Sequence, residues 1–247
     1  MNANPKQATK LMKVNKYFIQ EKRHFVNYGN RAFLYQYLVH FNNSKYYKIH
    51  ELPNNLGISG TLTIGHEIHL SQLIPKIAIC DLKRLILNSQ KVFFEDFKFL
   101  TSSENLKELE LHSSIIYYKN GEIVPYEIIL DSIPSLFSLQ MDYDPKRKMP
   151  EAFIKKIFAS NLAKLSLRSL SANFGFEEFL TLVAKEKPKL DISLDFKNGH
   201  LVRQRINEYI ETLCTTGLTE SCPPNFKSGC NTVALKKLRN AYRQRNH

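Results

Sequence analysis

A short leucine phrase returns along this chain at a nearly constant distance. The three strongest copies, LKRLILN, LKELELH and LAKLSLR, have leucine at their first, fourth and sixth positions, and weaker copies read SGTLTIG, LFSLQMD and PKLDISL. We align the six copies on Leu62, Leu85, Leu109, Leu139, Leu165 and Leu190. The spacings are 23, 24, 30, 26 and 25 residues. A repeat of this length indicates structural units that stack on one another.

Each copy has the two-residue period of a β-strand. In LKELELH the leucines at 106, 109 and 111 are predicted to face inward. The alternate polar side chains then face outward. One such strand cannot bury its apolar face alone, so neighbouring copies are expected to pair into a parallel sheet over a shared core.

Helix-like segments lie between the strand phrases: FEDFKFLTSS, PYEIILDSI, MPEAFIKKIFAS, GFEEFLTLVAKEK and GHLVRQRINEYIETLC. The fourth has a helical stripe at Phe176, Phe179, Leu180 and Val183. The last has a stripe at Leu201, Ile206, Tyr209, Ile210 and Leu213. Asn120-Gly121 predicts a tight turn that lengthens one repeat. The alternation predicts an α/β fold, specifically a leucine-rich-repeat-like right-handed solenoid. A doubly wound α/β domain with chance leucine spacing is the alternative.

The outward strand positions form the predicted binding surface. They are Arg84, Ile86, Asn88, Glu108, Glu110, His112, Ser138, Gln140, Asp142, Lys164, Ser166 and Arg168. In a solenoid these residues line one concave face. One end carries acidic side chains and the neighbouring strands carry basic ones, a mixed pattern that favours a protein or peptide partner. A nucleic-acid-binding face would instead interleave Lys and Arg with aromatic residues.

Signatures of catalysis or of metal binding are scarce. His66 and His69 of HEIH are three residues apart, whereas a helical zinc pair needs four. Cys214, Cys222 and Cys230 lack a fourth thiol and a CxxC pair. No phosphate-binding glycine loop and no GxSxG motif occurs. We therefore expect no enzyme, no cofactor and no metal site.

The positive charge lies mainly at the two ends of the chain. The net charge of +12 divides into +8 for residues 1–50, +6 for residues 226–247 and −2 for the rest. Basic ends favour solvated tails or weak binding of polyanions. No apolar run is long enough for a transmembrane segment or a signal peptide. We expect an intracellular protein, cytoplasmic or nuclear.

The chain resembles the F-box and leucine-rich-repeat-like proteins that are expanded in plant-parasitic (root-knot) nematodes. FEDFKFL, NGEIVPYE and LDISLDF carry the resemblance, which covers roughly residues 75–214. It implies a repeat region that binds a partner and an F-box that links it to a cullin-type ubiquitin ligase through an adaptor. LMKVNKYFIQEKRHFVNY, residues 11–28, resembles only the last F-box helix. We expect an incomplete F-box, from a shortened relative or a truncated gene product.

Three segments are predicted. Residues 1–50 form a helical cap or an F-box remnant, with FLYQYLVHF, residues 33–41, as a cap helix. Residues 51–214 form the solenoid. Residues 215–247 form a flexible linker and a basic tail, in which VALKKLRNAYRQRNH is an amphipathic helix.

The predicted function is a non-enzymatic module for protein–protein recognition, as a substrate receptor of a cullin-type ubiquitin ligase with an incomplete F-box. The predicted partners are an unidentified protein and, where the F-box remnant is functional, a ligase adaptor. A nucleic-acid-associated or polyanion-binding protein that acts through its basic termini is the alternative. An unrecognised enzyme is favoured only by a deep pocket with convergent polar groups.

Overall fold

The computed structural model describes residues 26–27, 31–35, 38–41, 46–65, 70–143, 149–216, 220–227 and 232–246. These residues fall into two compact units, an N-terminal and a C-terminal one, which divide between Leu136 and Phe137. In both units mostly parallel strands alternate with helices, so the predicted α/β class is confirmed.

The N-terminal unit contains more strand than helix. Its strands are β1 (Val26–Asn27), β2 (Arg31–Tyr35), β3 (Leu38–Phe41), β4 (Tyr46–Lys48), β5 (Leu56–Ile64), β6 (Ile77–Asn88), β7 (Lys91–Phe93), β8 (Glu108–His112) and β9 (Ile115–Tyr117). Its helices are α1 (Leu70–Leu73), α2 (Phe94–Leu100) and α3 (Tyr126–Asp131), with 3-10 turns at Ile49–Glu51 and Ile74–Lys76.

The main sheet of this unit has the order β8–β6–β5–β2–β3–β4. Strands β8, β6, β5 and β2 are parallel, and β1 also pairs with β5. Leu85 lies in register with Leu62 on one side and with Leu109 on the other. All three leucines are fully buried. The predicted alignment of the first three copies is therefore confirmed, because the leucines of neighbouring copies pack against one another across the sheet.

A corner in the left-handed backbone region follows two of these strands. Ser89 (φ 51°) follows β6 and Ser113 (φ 48°) follows β8, each four residues after the aligned leucine. The chain then forms a second, two-stranded parallel sheet from β7 and β9. Arg84 pairs with Glu108 and Lys91 pairs with Ile115, so both sheets have the same offset of 24 residues. A constant offset means that the two copies follow the same path.

The long third repeat contains the predicted turn. Tyr118 and Glu122 close it, since the amide of Tyr118 donates to the carbonyl of Glu122 at 2.8 Å. Gly121 has φ +86°, which glycine adopts without a steric penalty. Pro125 caps the N-terminus of α3. The excursion therefore accounts for the added residues without disturbing β8.

The C-terminal unit has a parallel sheet with helices between its strands. Its strands are β10 (Ser138–Asp142), β11 (Lys164–Leu170), β12 (Asp191–Phe196) and β13 (Asn225–Phe226). Its helices are α4 (Glu151–Ala159), α5 (Phe176–Glu186), α6 (Gly199–Thr216) and α7 (Thr232–Asn246). Ser169, in β11, has φ 58° and occupies the same repeat position as the two serine corners of the N-terminal unit.

The register of the last copy corrects the alignment. Leu139 pairs with Leu165 as predicted. Leu165, however, lies opposite Ile192 rather than Leu190. Leu190, directly before β12, and Ile192 are both buried, as expected when positions two apart in extended backbone face the same side. A pattern of period two cannot distinguish registers that differ by two residues.

The helical stripe predicted for α5 is confirmed, whereas in that of α6 only Ile206 and Ile210 are buried, and Tyr209 and Leu213 are half-buried. Phe176, Phe179, Leu180 and Val183 of α5 are all buried. In α6 the buried residues are Val202, Ile206 and Ile210, which follow the four-residue spacing of one helix face. Leu201 is 60% exposed, so its place in the predicted stripe is wrong.

The cap helix predicted over residues 33–41 is wrong. Arg31–Tyr35 and Leu38–Phe41 are antiparallel strands that extend the sheet of the N-terminal unit. Leu34 and Val39 are fully buried, while Phe33 and Tyr35 are exposed, which is strand alternation. Val26–Asn27 is also a strand, paired with β5. The rest of the helix predicted over residues 11–28 lies outside the described residues.

The predicted flexible linker is wrong for residues 220–227, which are packed in the C-terminal unit. Phe226 of β13 is buried, and its ring centroid lies 5.4 Å from that of Phe176. The predicted tail helix is confirmed as α7, but it is not a free end. Arg239 donates from Nη2 to Asp191 Oδ1 at 2.7 Å and from Nη1 to the carbonyl of Pro223 at 2.6 Å.

The serine corners predict a specific tolerance to substitution. Ser113→Val should lower the free energy of unfolding by about 1–2 kcal/mol, because a β-branched side chain is disfavoured at positive φ. Ser113→Gly should remain within about 0.5 kcal/mol of the wild type, since relief of strain offsets the added chain entropy. Urea denaturation followed by circular dichroism measures both. Equal losses in the two variants would contradict the corner.

The packing of α7 predicts that Arg239 stabilises the fold. Arg239→Gln should lower the free energy of unfolding by about 1–2 kcal/mol, because Asp191 and the Pro223 carbonyl both lose a charged donor. Arg243→Gln, an exposed change on the same helix, is the matched control and should cost less than about 0.5 kcal/mol. Thermal denaturation compares the two. Equal stability of both variants would mean that α7 is not anchored through Arg239.

Candidate functional site

The predicted outward residues of the N-terminal unit lie side by side on β6 and β8. Arg84 pairs with Glu108, Ile86 with Glu110, and Asn88 with His112. All six are exposed or half-buried, while the leucines between them are buried. The prediction that these six side chains point outward is therefore confirmed within this unit.

Four of these residues form a charged group, which we call the Arg84 cluster: Arg84, Glu108, Glu110 and His112. Arg84 Nε donates to Glu110 Oε1 at 3.0 Å, and Arg84 Nη2 donates to the same oxygen. Arg84 Nε also lies 3.4 Å from Glu108 Oε2. His112 Nε2 donates to Glu110 Oε2 at 2.9 Å. Glu110 is thus held from both sides, while the carboxylate of Glu108 remains about half exposed.

The cluster stabilises the ionised form of Glu110. The hydrogen bond from His112 is the main cause, and the contact with Arg84 adds to it, so the pKa of Glu110 falls to about 2. Burial acts in the opposite direction but is outweighed. Glu110 therefore stays negatively charged across the physiological range, and its charge is already engaged within the unit.

The predicted outward residues of the C-terminal unit also pair directly. Ser138, Gln140 and Asp142 lie opposite Lys164, Ser166 and Arg168. Arg168 Nε lies 3.7 Å from Asp142 Oδ1 and 4.0 Å from Asp195 Oδ2. Asp195 belongs to β12 and was not among the predicted site residues, because outward positions were assigned only for the copies at Leu85, Leu109, Leu139 and Leu165. This surface therefore carries an arginine between two carboxylates.

A second group of outward residues, on β2 to β5, was missed by the sequence analysis. Phe33 and Tyr35 of β2 are 44% and 48% exposed, and Tyr46 of β4 is 66% exposed. A recess of about 450 Å³ lies among these strands, and the side chains that line it include Arg31, Phe33, His40, Thr61, Thr63 and Arg84. The signal that could have revealed this surface is the alternation in RAFLY and LVHF.

Metal ligands and one buried thiol can be assessed in the part of the chain that the structure describes. No group of three or more His, Cys, Asp or Glu side chains there could hold a metal ion. Burial raises the pKa of the Cys80 thiol to about 12, which removes it as a nucleophile. Both histidines of HEIH and Cys230 lie outside the described residues. No described helix combines the length and the apolar composition that a membrane crossing requires.

Comparison with known proteins leaves the site without a relative to interpret it. The chain matches no protein-family model, no curated protein and no solved structure.

The position of Glu110 predicts a pH-dependent contribution to stability. Its pKa is 4.5 ordinarily and about 2 in the fold, so the stabilisation is complete above about pH 5 and is lost as the pH falls towards 2. Glu110→Gln should lower the free energy of unfolding by about 2 kcal/mol at pH 7 and by little near pH 2. Urea denaturation across this range measures the difference.

Glu95→Gln serves as the control, because the pair between Glu95 and Lys98 is exposed on α2. Such a pair contributes less than about 1 kcal/mol. A loss in Glu110→Gln that stays the same from pH 7 to pH 2 would mean that its ionised carboxylate does not stabilise the fold.

Proposed function

We propose that this chain is a non-enzymatic module that recognises another protein through the outward faces of its parallel strands. The observation that carries the proposal is the separation of the two strand faces. Leucines that point inward are fully buried, whereas charged residues in the same strands remain accessible to a partner. A surface of this kind offers fixed polar groups on a rigid support.

We also propose that the repeats form a leucine-rich-repeat-like right-handed solenoid. The equal 24-residue offset of the two strand pairs supports it. So does the shared left-handed conformation of Ser89, Ser113 and Ser169, since repeated corners let successive copies take the same path. In such a coil the outward residues of neighbouring copies within a unit belong to one binding surface.

The charge distribution of the Arg84 cluster favours a protein partner with both signs of charge. Glu110 already accepts hydrogen bonds from His112 and Arg84, so it serves to orient the arginine. Glu108 and Arg84 are 48% and 42% exposed. Their outer atoms are available to a lysine or to a carboxylate of the partner. Electrostatic complementarity of this kind mainly sets specificity and the rate of association.

The resemblance to F-box proteins extends the proposal to a cullin-type ubiquitin ligase. On this hypothesis residues 11–28 contact the ligase adaptor and the strand faces bind the substrate. Co-purification of the full chain with the adaptor tests the first contact separately from the second. Recovery of substrate without adaptor would restrict the function to recognition alone.

Charge reversal at Glu108 tests the proposed surface. A protein captured by the full chain in a pull-down should bind Glu108→Lys about tenfold more weakly, because an exposed carboxylate becomes a like charge for the partner. Isothermal titration with the purified partner measures this. Glu186→Lys, an exposed change at the end of α5, is the matched control. Equal affinities of the two variants would exclude the β6–β8 face.

A further inference from the structure

The outward side of β2 to β5 differs in chemistry from the Arg84 cluster. We call it the aromatic face and define it by Arg31, Phe33, Tyr35, Leu38, His40, Tyr46, Lys48, Thr61 and Thr63. These residues alternate with buried residues such as Ala32, Leu34, Val39 and Leu62, so they share one side of the sheet. Three of the aromatic side chains are between 44% and 66% exposed. Isolated exposed rings are common on proteins, but adjacent ones on a single sheet are not.

The rings follow the strand register. His40 lies opposite Phe33, and Tyr46 lies opposite His40. The ring centroids of His40 and Tyr46 are 4.8 Å apart with a tilt of 32°. Phe33 and Tyr35 stand two residues apart on the same face, which separates them by about 7 Å along the strand. The rings of this face are therefore arranged in two directions, along β2 and across β2, β3 and β4.

The charge of the face has a single sign. Strands β2, β3, β4 and β5 contain no Asp or Glu. Arg31 and Lys48 are exposed on it. Arg31 lies opposite Thr61, and Thr61 lies opposite Arg84, so a row of two guanidinium groups and a hydroxyl crosses the sheet; Arg84, at the end of this row, also contacts Glu110. The same three residues line the recess of about 450 Å³. Cations and hydroxyl groups around a recess suit an anionic group.

We propose that the aromatic face binds single-stranded nucleic acid. Bases stack on Phe33 and Tyr35, and phosphates contact Arg31, Lys48 and the mouth of the recess. Unpaired bases offer flat surfaces that a duplex hides, and an open sheet with exposed rings beside basic residues provides the complementary support. Acidic peptides would match the charge but would leave the rings without a partner. The site adds to the proposed protein-binding surface, from which it differs in all residues except Arg84.

Fluorescence anisotropy with the full chain tests the proposal. The probes are labelled oligo-U RNA and oligo-dT DNA of about 12 nucleotides and a duplex of the same length, between about 50 and 300 mM KCl. At least one single strand should bind more tightly than the duplex. Phe33→Ala combined with Tyr35→Ala should weaken binding at least tenfold and leave the salt dependence unchanged. Arg31→Gln should reduce the slope of log affinity against log salt by about 0.7.

Two control variants distinguish this face from other parts of the chain. Phe93→Ala removes a ring that is 42% exposed on β7, in the two-stranded sheet. Lys236→Gln combined with Lys237→Gln removes exposed charge from α7. Both should stay within about twofold of the wild-type affinity, as expected for sites outside the face. If the alanine double variant does not fold, Phe33→Leu combined with Tyr35→Leu takes its place. This variant keeps apolar side chains but removes the rings, so it should also bind more weakly.

Four outcomes would overturn the proposal. The first is no binding of either single strand at the lowest salt. The second is equal affinity for the duplex or for heparin together with no effect of the ring variants, which would mean general polyanion binding. The third is a loss confined to the α7 variant, which would place binding on the basic terminus. The fourth is a dimer in light scattering that the ring variants dissociate, which would identify a second copy of the chain as the occupant.

Discussion

Burial of one side of every long strand is the constraint on which the rest of the structure depends. Leu62, Leu85 and Leu109 are in register and fully buried, and each such side chain contributes about 1.5–3 kcal/mol relative to exposure. A single strand of this pattern has no apolar neighbour, so the stabilisation exists only when adjacent copies pair. Because strand side chains alternate, the same pairing sends the charged residues to the opposite side. The proposed surfaces are therefore a direct result of the core.

The sequence allowed the α/β class and most helices to be predicted because both depend on local periodicity. The N-terminal strands were missed for the same reason. FLYQYLVHF is rich in apolar residues on both faces of either element, so its composition does not separate a helix from two short strands. Pairing with β5, a contact distant in sequence, selects the strands. The Leu190 alignment failed because only tertiary pairing distinguishes Leu190 from Ile192, which face the same side.

The sequence predicted which side chains of the candidate site point outward, but not which of them contact one another. Period two placed Arg84, Glu108 and Glu110 outward, as the structure has them. The register partner of Arg84 is Glu108, yet its shorter contacts are with Glu110, on the diagonal. That preference arises because His112 holds the Glu110 carboxylate in place. Which carboxylate the arginine contacts therefore depends on several groups at once. The aromatic face escaped prediction because most of β2 and all of β3 were assigned to a helix, and no outward residues were assigned to the copy at Leu62.

The serine corners connect the core to the outward face of β6 and β8. If β6 continued straight past Asn88, or β8 past His112, its outward side chains would extend beyond the sheet. Ser89 and Ser113 instead redirect the chain in the left-handed region, and β7 and β9 pair immediately afterwards. The buried Gln90 supports this turn, since its Nε2 donates to the carbonyl of Asn88 at 3.0 Å and also to that of Gly65. Because each corner lies at the same repeat position, the outward rows end together. The polar edge that they form is thus set by the backbone.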